Sequence, residues 1–162
     1  MDLHAHAGKR GIFLFGNYNE FSLCLESFLY AKLLQINCVN FDLAECNFTE
    51  YNMYSRDKAD NTTKAGSSRV GLYKKHGFPN IYTLEANYNA GKIVNKIPPS
   101  GLTETKHADP STYTGAPTYD IDIFHDCGKA IGVSILDLAE KNSDSRLANC
   151  PLKDLNGVRE EA

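Results

Sequence analysis

The amino-acid sequence predicts an α/β layer structure built on a small sheet. Short apolar runs typical of strands alternate along the chain with stretches of helical periodicity, a pattern typical of strands layered against helices. Only two or three strands can be identified, and so small a sheet would leave its faces and one edge uncovered. We therefore expect this 162-residue chain to be part of a larger α/β domain.

The N-terminal part of the chain predicts a strand, a helix and a long loop. The run Ile-Phe-Leu-Phe-Gly at 12–16 is apolar and ends in glycine, which is typical of a buried strand. Residues 21–36 are apolar at helical spacing, at Phe21, Leu25, Phe28, Leu29, Leu33 and Ile36. Residues 37–66 are polar and irregular, and we expect a loop there.

The rest of the chain predicts two helices, one strand and a second loop. Residues 69–76 favour a helix, and the β-branched and aromatic residues at 81–86 favour a strand whose end carries Glu85. Residues 92–118 hold most of the prolines and predict a long surface loop. Residues 119–141 favour a second helix. One face of that helix is marked by Ile123, Cys127, Ile131, Ile135 and Leu138. The polar segment after Asn142 is expected to be loosely ordered.

Composition and charge narrow the possible partners. The net charge of −3 gives no reason to expect nucleic-acid or acidic-membrane binding. No apolar run approaches the roughly 20 residues of a membrane span. The five cysteines are odd in number and form no C-x-x-C pair, which favours reduced thiols in the cytoplasm over a disulfide framework or a zinc ribbon.

Three features of the sequence could carry chemistry. His4 and His6 alternate as in a strand, so both rings could face one side and contact a metal, although a histidine pair at a surface fits the spacing as well. Glu85 is a lone carboxylate in an apolar strand, fit for a general base if buried and unremarkable if it faces solvent. Arg69 follows a Gly-Ser segment and could grip a carboxylate, or be an ordinary surface arginine.

Several linked stretches together resemble the cytosolic carboxypeptidases, the M14-type zinc peptidases that shorten polyglutamate chains on tubulin. They occur in family order: Asp-Leu-His-Ala-His-Ala at 2–7, Lys-Arg-Gly at 9–11, Gly-Asn at 16–17, Phe-Asp at 41–42, Cys-Asn-Phe at 46–48, Asn-Met-Tyr-Ser-Arg-Asp at 52–57, Gly-Ser-Ser-Arg-Val at 66–70 and Tyr-Thr-Leu-Glu-Ala-Asn-Tyr-Asn at 82–89. Gly-Lys-Ala at 128–130 and Leu-Asp-Leu at 136–138 resemble the family's closing helix. The first and sixth stretches look closest to the type-5 branch, which removes branch-point glutamates.

The resemblance implies a role for each candidate residue. His4 matches the third zinc ligand, and Glu85 matches the glutamate that takes a proton from water and passes it to the leaving amine. Arg69 matches a basic residue that reads the acidic side chain of the terminal glutamate. His6 would support the ligand without binding metal itself, and Tyr54 is a candidate for the tyrosine that covers the substrate.

The sequence also departs from the family pattern. The family's His-x-x-Glu motif, which holds the first two zinc ligands, and its Asn-Arg pair for the substrate carboxylate are absent. We therefore expect residues 1–147 to be the C-terminal part of an α/β/α zinc-carboxypeptidase domain with a central mixed sheet, 92–118 to be a loop insertion and 148–162 a polar tail. One zinc ligand would lie here and two upstream, so this chain alone is expected to be inactive.

Three functional hypotheses follow. The first is a zinc-dependent metallocarboxypeptidase that removes C-terminal or branch-point glutamates from polyglutamylated tubulin or other acidic protein tails, in the cytoplasm and on microtubules. The second is a non-catalytic remnant that binds acidic tails through Arg69, Lys9 and Arg10. The third is an unrelated α/β domain in which the motifs are coincidental.

Overall fold

The computed structural model describes residues 1–56, 61–100 and 115–161, and their fold is mixed α/β. The strands are β1 (Asp2–His6), β2 (Ile12–Phe15) and β3 (Thr83–Asn87). The α-helices are α1 (Phe21–Asn37), α2 (Glu50–Tyr54), α3 (Ser68–His76), α4 (Ile121–Leu138) and α5 (Leu155–Glu161). Short 3₁₀ turns in the described ranges lie at Leu43–Glu45, Lys64–Gly66 and Arg146–Asn149. The predicted strand at 12–16 and the helices at 21–36, 69–76 and 119–141 are thus confirmed, while residues 101–114 of the predicted loop lie outside the described residues.

The three strands form one mixed sheet in the order β1-β3-β2. Strand β1 runs parallel to β3 and β2 runs antiparallel to it. Glu85 lies in the middle of β3, opposite His4 on one side and Phe13 on the other, so the expectation that it ends the strand is wrong. The shift arises because β3 continues through Asn87, whose side-chain amide donates to the carbonyls of His6 and Lys9 and ties the strand to the turn after β1.

Helices α1 and α4 cover one face of the sheet. Ile12, Leu14 and Leu84 point into this layer, and all three are buried. Tyr82 stacks on Tyr30 of α1 with 5.2 Å between ring centroids. Removing these apolar side chains from water is the main force that holds the sheet to its helices.

Helix α4 packs through a more polar stripe than its sequence predicts. Its buried residues are Cys127, Ala130, Ser134 and Asp137, whereas Ile135 is 54% exposed. Asp137 accepts hydrogen bonds from the side-chain amides of Asn37 and Asn142, at 2.7 and 2.8 Å. The expectation that Ile135 faces the core is therefore wrong, because a hydrogen-bonded carboxylate takes its place at the contact with α1.

Two regions expected to be irregular contain helical turns. The predicted loop at 37–66 includes α2, which begins where the Thr49 side chain accepts from the Asn52 N–H. After Asn142, α5 buries Leu155 and Val158 against Leu29 and Leu33 of α1. The expectation of a loosely ordered segment there is wrong, because a few well-spaced apolar residues suffice to pin a short helix to α1.

The structure also bears on two composition-based expectations. All five cysteines are free, and Cys38, Cys127 and Cys150 are buried. Buried free thiols act as small apolar side chains, which agrees with the expected absence of a disulfide framework. Within the described ranges, no helix is long and apolar enough to cross a membrane.

Candidate active site

His4 and Glu85 lie side by side because β1 and β3 are paired in register. The two residues are direct partners across the parallel ladder, so their side chains project from the same face of the sheet. The Nδ1 atom of His4 lies 4.0 Å from Oε1 of Glu85. This juxtaposition joins residues 81 positions apart in the sequence (85 − 4).

The His4 ring is oriented by an acid at the start of its own strand. Its Nε2 atom lies 3.1 Å from Oδ2 of Asp2, and that carboxylate also accepts a hydrogen bond from the Ser68 hydroxyl. The Ser68 hydrogen bond, followed by the charge and hydrogen bond of His4, lowers the pKa of Asp2. An Nε2–H that donates to Asp2 leaves the lone pair of Nδ1 on the side of Glu85.

Glu85 is a buried carboxylate with little local compensation. It is 8% exposed, and no side chain or backbone group in the described ranges donates a hydrogen bond to its carboxylate. Burial raises its pKa, against the opposing charges of His4, His6 and Lys64. The sequence leaves open whether the Glu85 side chain is buried or faces solvent, and in the structure it is buried.

Arg69 is also buried, and its hydrogen-bond partners are all neutral. It is 3% exposed and sits in the first turn of α3, whose N-terminus is capped by the Ser67 side chain. Its Nη1 donates to the Gly16 carbonyl and, at 3.0 Å, to Oδ1 of Asn17, while Nη2 donates to Oδ1 of Asn52 at 3.0 Å. Burial lowers its pKa. Because no described carboxylate contacts the guanidinium, its positive charge is uncompensated.

These residues share one cavity, which we call the His4–Glu85 cavity. Its volume is about 300 Å³, and it is lined by His4, His6, Phe15, Lys64, Ser67, Arg69, Thr83 and Glu85. Lys64 adds a second cation, with its Nζ 5.4 Å from the centroid of the Phe15 ring. A cavity lined by two cations and one desolvated carboxylate can hold an anionic group and carry out proton transfer beside it.

His6 lines the same cavity, but its ring is partly engaged in the turn after β1. Its Nδ1 accepts the Lys9 N–H at 2.9 Å, and the ring packs edge-on against Phe13 with centroids 5.7 Å apart. These contacts fix the loop that follows the strand. The supporting role expected for His6 stays a prediction that is compatible with this geometry.

Tyr54 is not brought into this cavity. It is 43% exposed and lines a separate cavity with Tyr18 and Tyr73, which we call the tyrosine cavity. The sequence reasoning assigned no role to Asn17, Asn52 or Lys64. Asn17 and Asn52 belong to stretches that resemble the family, but nothing in the local sequence indicates that either side-chain amide will contact an arginine.

The donor set partly fits a zinc ion. The His4 side chain is suited to be one zinc ligand. One of its ring nitrogens is hydrogen-bonded to a carboxylate, which leaves the other available to a metal, as is typical of zinc-bound histidine. A catalytic zinc site takes about three protein ligands. Among the residues that the structure describes, no three His, Cys, Asp or Glu side chains are placed to hold a metal together. His4 therefore fits one position of such a site, and the described chain does not complete it.

Sequence comparisons place the chain beside a set of peptidase-like proteins. It is 45% identical over 148 residues to zebrafish (Danio rerio) cytosolic carboxypeptidase-like protein 5, which is 91% of this chain and 17% of that protein. It is 40% identical over 160 residues to the rat (Rattus norvegicus) protein of the same name, 98% of this chain and 19% of that protein. Mouse (Mus musculus) cytosolic carboxypeptidase 3 is 30% identical over 101 residues, 59% of this chain and 9% of that protein. No protein-family model matches the chain.

Proposed function

The chain is related by sequence to the type-5 branch of the cytosolic carboxypeptidases, and on that premise we propose that it supplies part of a zinc-dependent glutamate-removing site. The chain spans less than a fifth of the length of the zebrafish and rat relatives, at 17% and 19%. The proposed activity is therefore that of a longer polypeptide. Its proposed substrates are C-terminal or branch-point glutamates on polyglutamylated tubulin or similar acidic tails, in the cytoplasm and on microtubules.

One observation carries this proposal: among the described residues, a buried carboxylate without hydrogen-bond donors and a buried guanidinium without an anionic partner line the same cavity. A buried charge is costly unless something compensates it. A glutamate side chain entering the cavity would bring the missing anion to Arg69. A neutral side chain of the same shape would leave the guanidinium unpaired, which is the basis for strong discrimination.

Glu85 would act as the proton carrier of the reaction. Its carboxylate accepts a proton from the attacking water and delivers that proton to the amine that leaves. Burial favours this role, because it raises the pKa of Glu85 above its ordinary value and so makes the carboxylate a stronger proton acceptor. Asp2 holds the neighbouring His4 ring in place, so that His4 and Glu85 keep a fixed separation.

His4 would be the zinc ligand that this chain contributes. A zinc ion, when bound, lowers the pKa of a water molecule and polarises the scissile carbonyl. The remaining ligands would come from residues outside the described chain. We therefore predict that the 162-residue chain alone binds zinc poorly and releases no glutamate. Calorimetric zinc titration and a glutamate-release assay would test this, and micromolar binding with turnover would contradict it.

The activity itself is tested in a hybrid protein, in which this chain replaces the segment of the rat relative that aligns with it. The resulting hybrid should release glutamate from a peptide with a C-terminal polyglutamate branch, with the unaltered rat protein as positive control. It should discriminate against a matched peptide that ends in glutamine. Hybrid protein that folds like the rat parent but releases no glutamate would contradict the proposal.

A second candidate function is the binding of acidic tails without catalysis. It is favoured by the incomplete donor set among the described residues. The structure narrows its expected cations, because Lys9 is already paired with Glu45 at 2.7 Å. Arg10 is exposed and does not line the His4–Glu85 cavity, whereas Arg69 lines it together with Lys64. Hybrid protein that binds the polyglutamate peptide without hydrolysing it would support this alternative.

A further inference from the structure

His6 lines the His4–Glu85 cavity, yet the proposed reaction gives its ring no task. It is the last residue of β1 and lies two positions after His4, so both side chains leave the same face of the sheet. Both rings line the cavity together with Arg69 and Glu85. Each of these residues except His6 has a role in the proposed reaction, which leaves the chemistry of the His6 ring to be explained.

One ring nitrogen of His6 is already used by the chain itself. The backbone N–H of Lys9 donates a hydrogen bond to Nδ1 at 2.9 Å. An imidazole nitrogen that accepts a hydrogen bond keeps its lone pair, so a neutral ring must carry its proton on the other nitrogen. The turn after β1 therefore fixes the tautomer of His6, with the hydrogen on Nε2.

The same turn determines which edge of the ring is left free. The Cε1 atom lies 3.8 Å from the position that a Cβ on Gly8 would take, so the edge formed by Nδ1 and Cε1 faces the turn. The ring also packs against Phe13 at an interplanar angle of 60°. The edge formed by Cδ2 and Nε2 is therefore the one left towards the cavity. Among the residues that the structure describes, none accepts a hydrogen bond from Nε2.

We propose that the Nε2–H of His6 donates a hydrogen bond to a main-chain carbonyl oxygen of a peptide bound in the His4–Glu85 cavity. The inference rests on the proposed function, because the peptide is the acidic substrate whose side chain Arg69 would bind. The two cations of the cavity, Arg69 and Lys64, are suited to carboxylates, whereas a neutral N–H is suited to the neutral oxygen of a peptide bond. His6 thus positions the main chain of the peptide while Arg69 selects its side chain.

Two substitutions separate this role from the structural role of the ring. In His6→Asn, the amide oxygen takes the place of Nδ1 and can still accept from Lys9, but nothing replaces Nε2. In His6→Gln, the amide nitrogen takes the place of Nε2, but the acceptor for Lys9 is lost. Both variants lose the ring contact with Phe13, so the difference between them reports on the two nitrogens.

The two variants should differ in opposite directions in stability and in binding. His6→Gln should unfold about 2–4 °C below His6→Asn, because the Lys9 N–H loses its acceptor. It should nevertheless bind the peptide about two- to tenfold more tightly than His6→Asn, because it keeps a donor towards the cavity. His125→Asn, at an exposed position on α4, should bind as tightly as the unaltered chain.

The measurement uses the full chain, labelled with ¹⁵N, at pH 8, above the range in which imidazole ordinarily titrates. A long-range ¹H–¹⁵N spectrum of the free chain should show His6 as the Nε2–H tautomer. The probe is the dipeptide Nα-acetyl-glutamyl-glutamate, titrated to tens of millimolar, and it should shift the Nε2 signal in a saturable way. Glutarate, which has carboxylates but no peptide carbonyl, should leave the Nε2 signal in place.

Four results would overturn the proposal. They are a free chain in which His6 carries its proton on Nδ1, an Nε2 signal that does not respond to the dipeptide, an equal response of that signal to glutarate, and equal binding by the Asn and Gln variants. None of these readouts involves zinc or peptide hydrolysis, whereas glutamate release by the hybrid protein decides the proposed function. Failure of the one is therefore distinguishable from failure of the other.

Discussion

Helix α2 contributes to two cavities of opposite charge. Its Asn52 holds the Arg69 guanidinium beside the His4–Glu85 cavity, whereas Glu50 and Tyr54 line the tyrosine cavity. The first cavity has its excess charge buried on Arg69, while the second has its charges on exposed side chains, and its buried lining residues, Asn19 and Met53, are neutral. Buried unpaired charge demands a counter-ion far more strongly than exposed charge does. The first cavity should therefore discriminate sharply between ligands, and the second only modestly.

The largest expected effect concerns the carboxylate of the first cavity. In the hybrid rat protein, Glu85→Gln should reduce the rate of glutamate release by about 100- to 10,000-fold, because the amide cannot accept a proton from water. The substrate KM should change little, since the shape of the side chain is preserved. Steady-state kinetics checks this, with Asp122→Asn on the exposed first turn of α4 as control. A reduction in rate of less than about tenfold would contradict the role proposed for Glu85.

The next effect concerns the buried cation. Arg69→Met should lower the free energy of unfolding by about 2–4 kcal/mol, because Asn17, Asn52 and the Gly16 carbonyl lose their donor. Urea unfolding measures the loss. Arg10→Met, at an exposed position, should change stability by less than about 0.5 kcal/mol. If both variants lose the same stability, the hydrogen-bond network around Arg69 does not hold the cavity wall.

The smallest effect concerns the carboxylate of Glu45, which is paired with two lysines. Hydrogen bonds from Lys9 and then Lys92 lower the pKa of Glu45. A depressed pKa contributes stability above the ordinary carboxyl value of about 4.3, and that stability is lost as pH falls through the lowered value. Glu45→Gln should therefore flatten the acid limb of the stability curve and cost less than about 1 kcal/mol at neutral pH. Urea unfolding between pH 7 and pH 3 tests this, and a steeper acid limb in the variant would contradict it.

The sequence was informative where a pattern is local. Apolar runs and helical spacing located β2, α1 and α3, and the alternation of His4 with His6 indicated a strand. The pairing of His4 with Glu85 depends on parallel register between distant strands, so only the resemblance to the family placed the two residues in one site. In the structure, the register of β1 against β3 brings them to 4.0 Å.

Other features could not be predicted because they depend on tertiary contacts. Ile135 looks like a core residue by periodicity, yet α4 turns Asp137 inward because Asn37 and Asn142 satisfy its carboxylate. Tyr54 belongs to a stretch that resembles the family, yet its position on α2 places it in the tyrosine cavity. Asn52 of the same helix instead accepts a hydrogen bond from Arg69. A single residue's position along a short helix decides which cavity it serves, and composition does not reveal that.

The central claim is that the His4–Glu85 cavity receives a carboxylate through Arg69. The most direct test is to follow the side-chain Nε–H signal of Arg69 by NMR while the full chain is titrated with glutarate. We predict a saturable shift of that signal, accompanied by the backbone amides of Lys64 and Thr83, which line the same cavity. Nα-acetyl-lysine-N-methylamide should leave these signals unchanged. An Arg69 signal that does not respond to glutarate, or that responds equally to the lysine probe, would contradict the account.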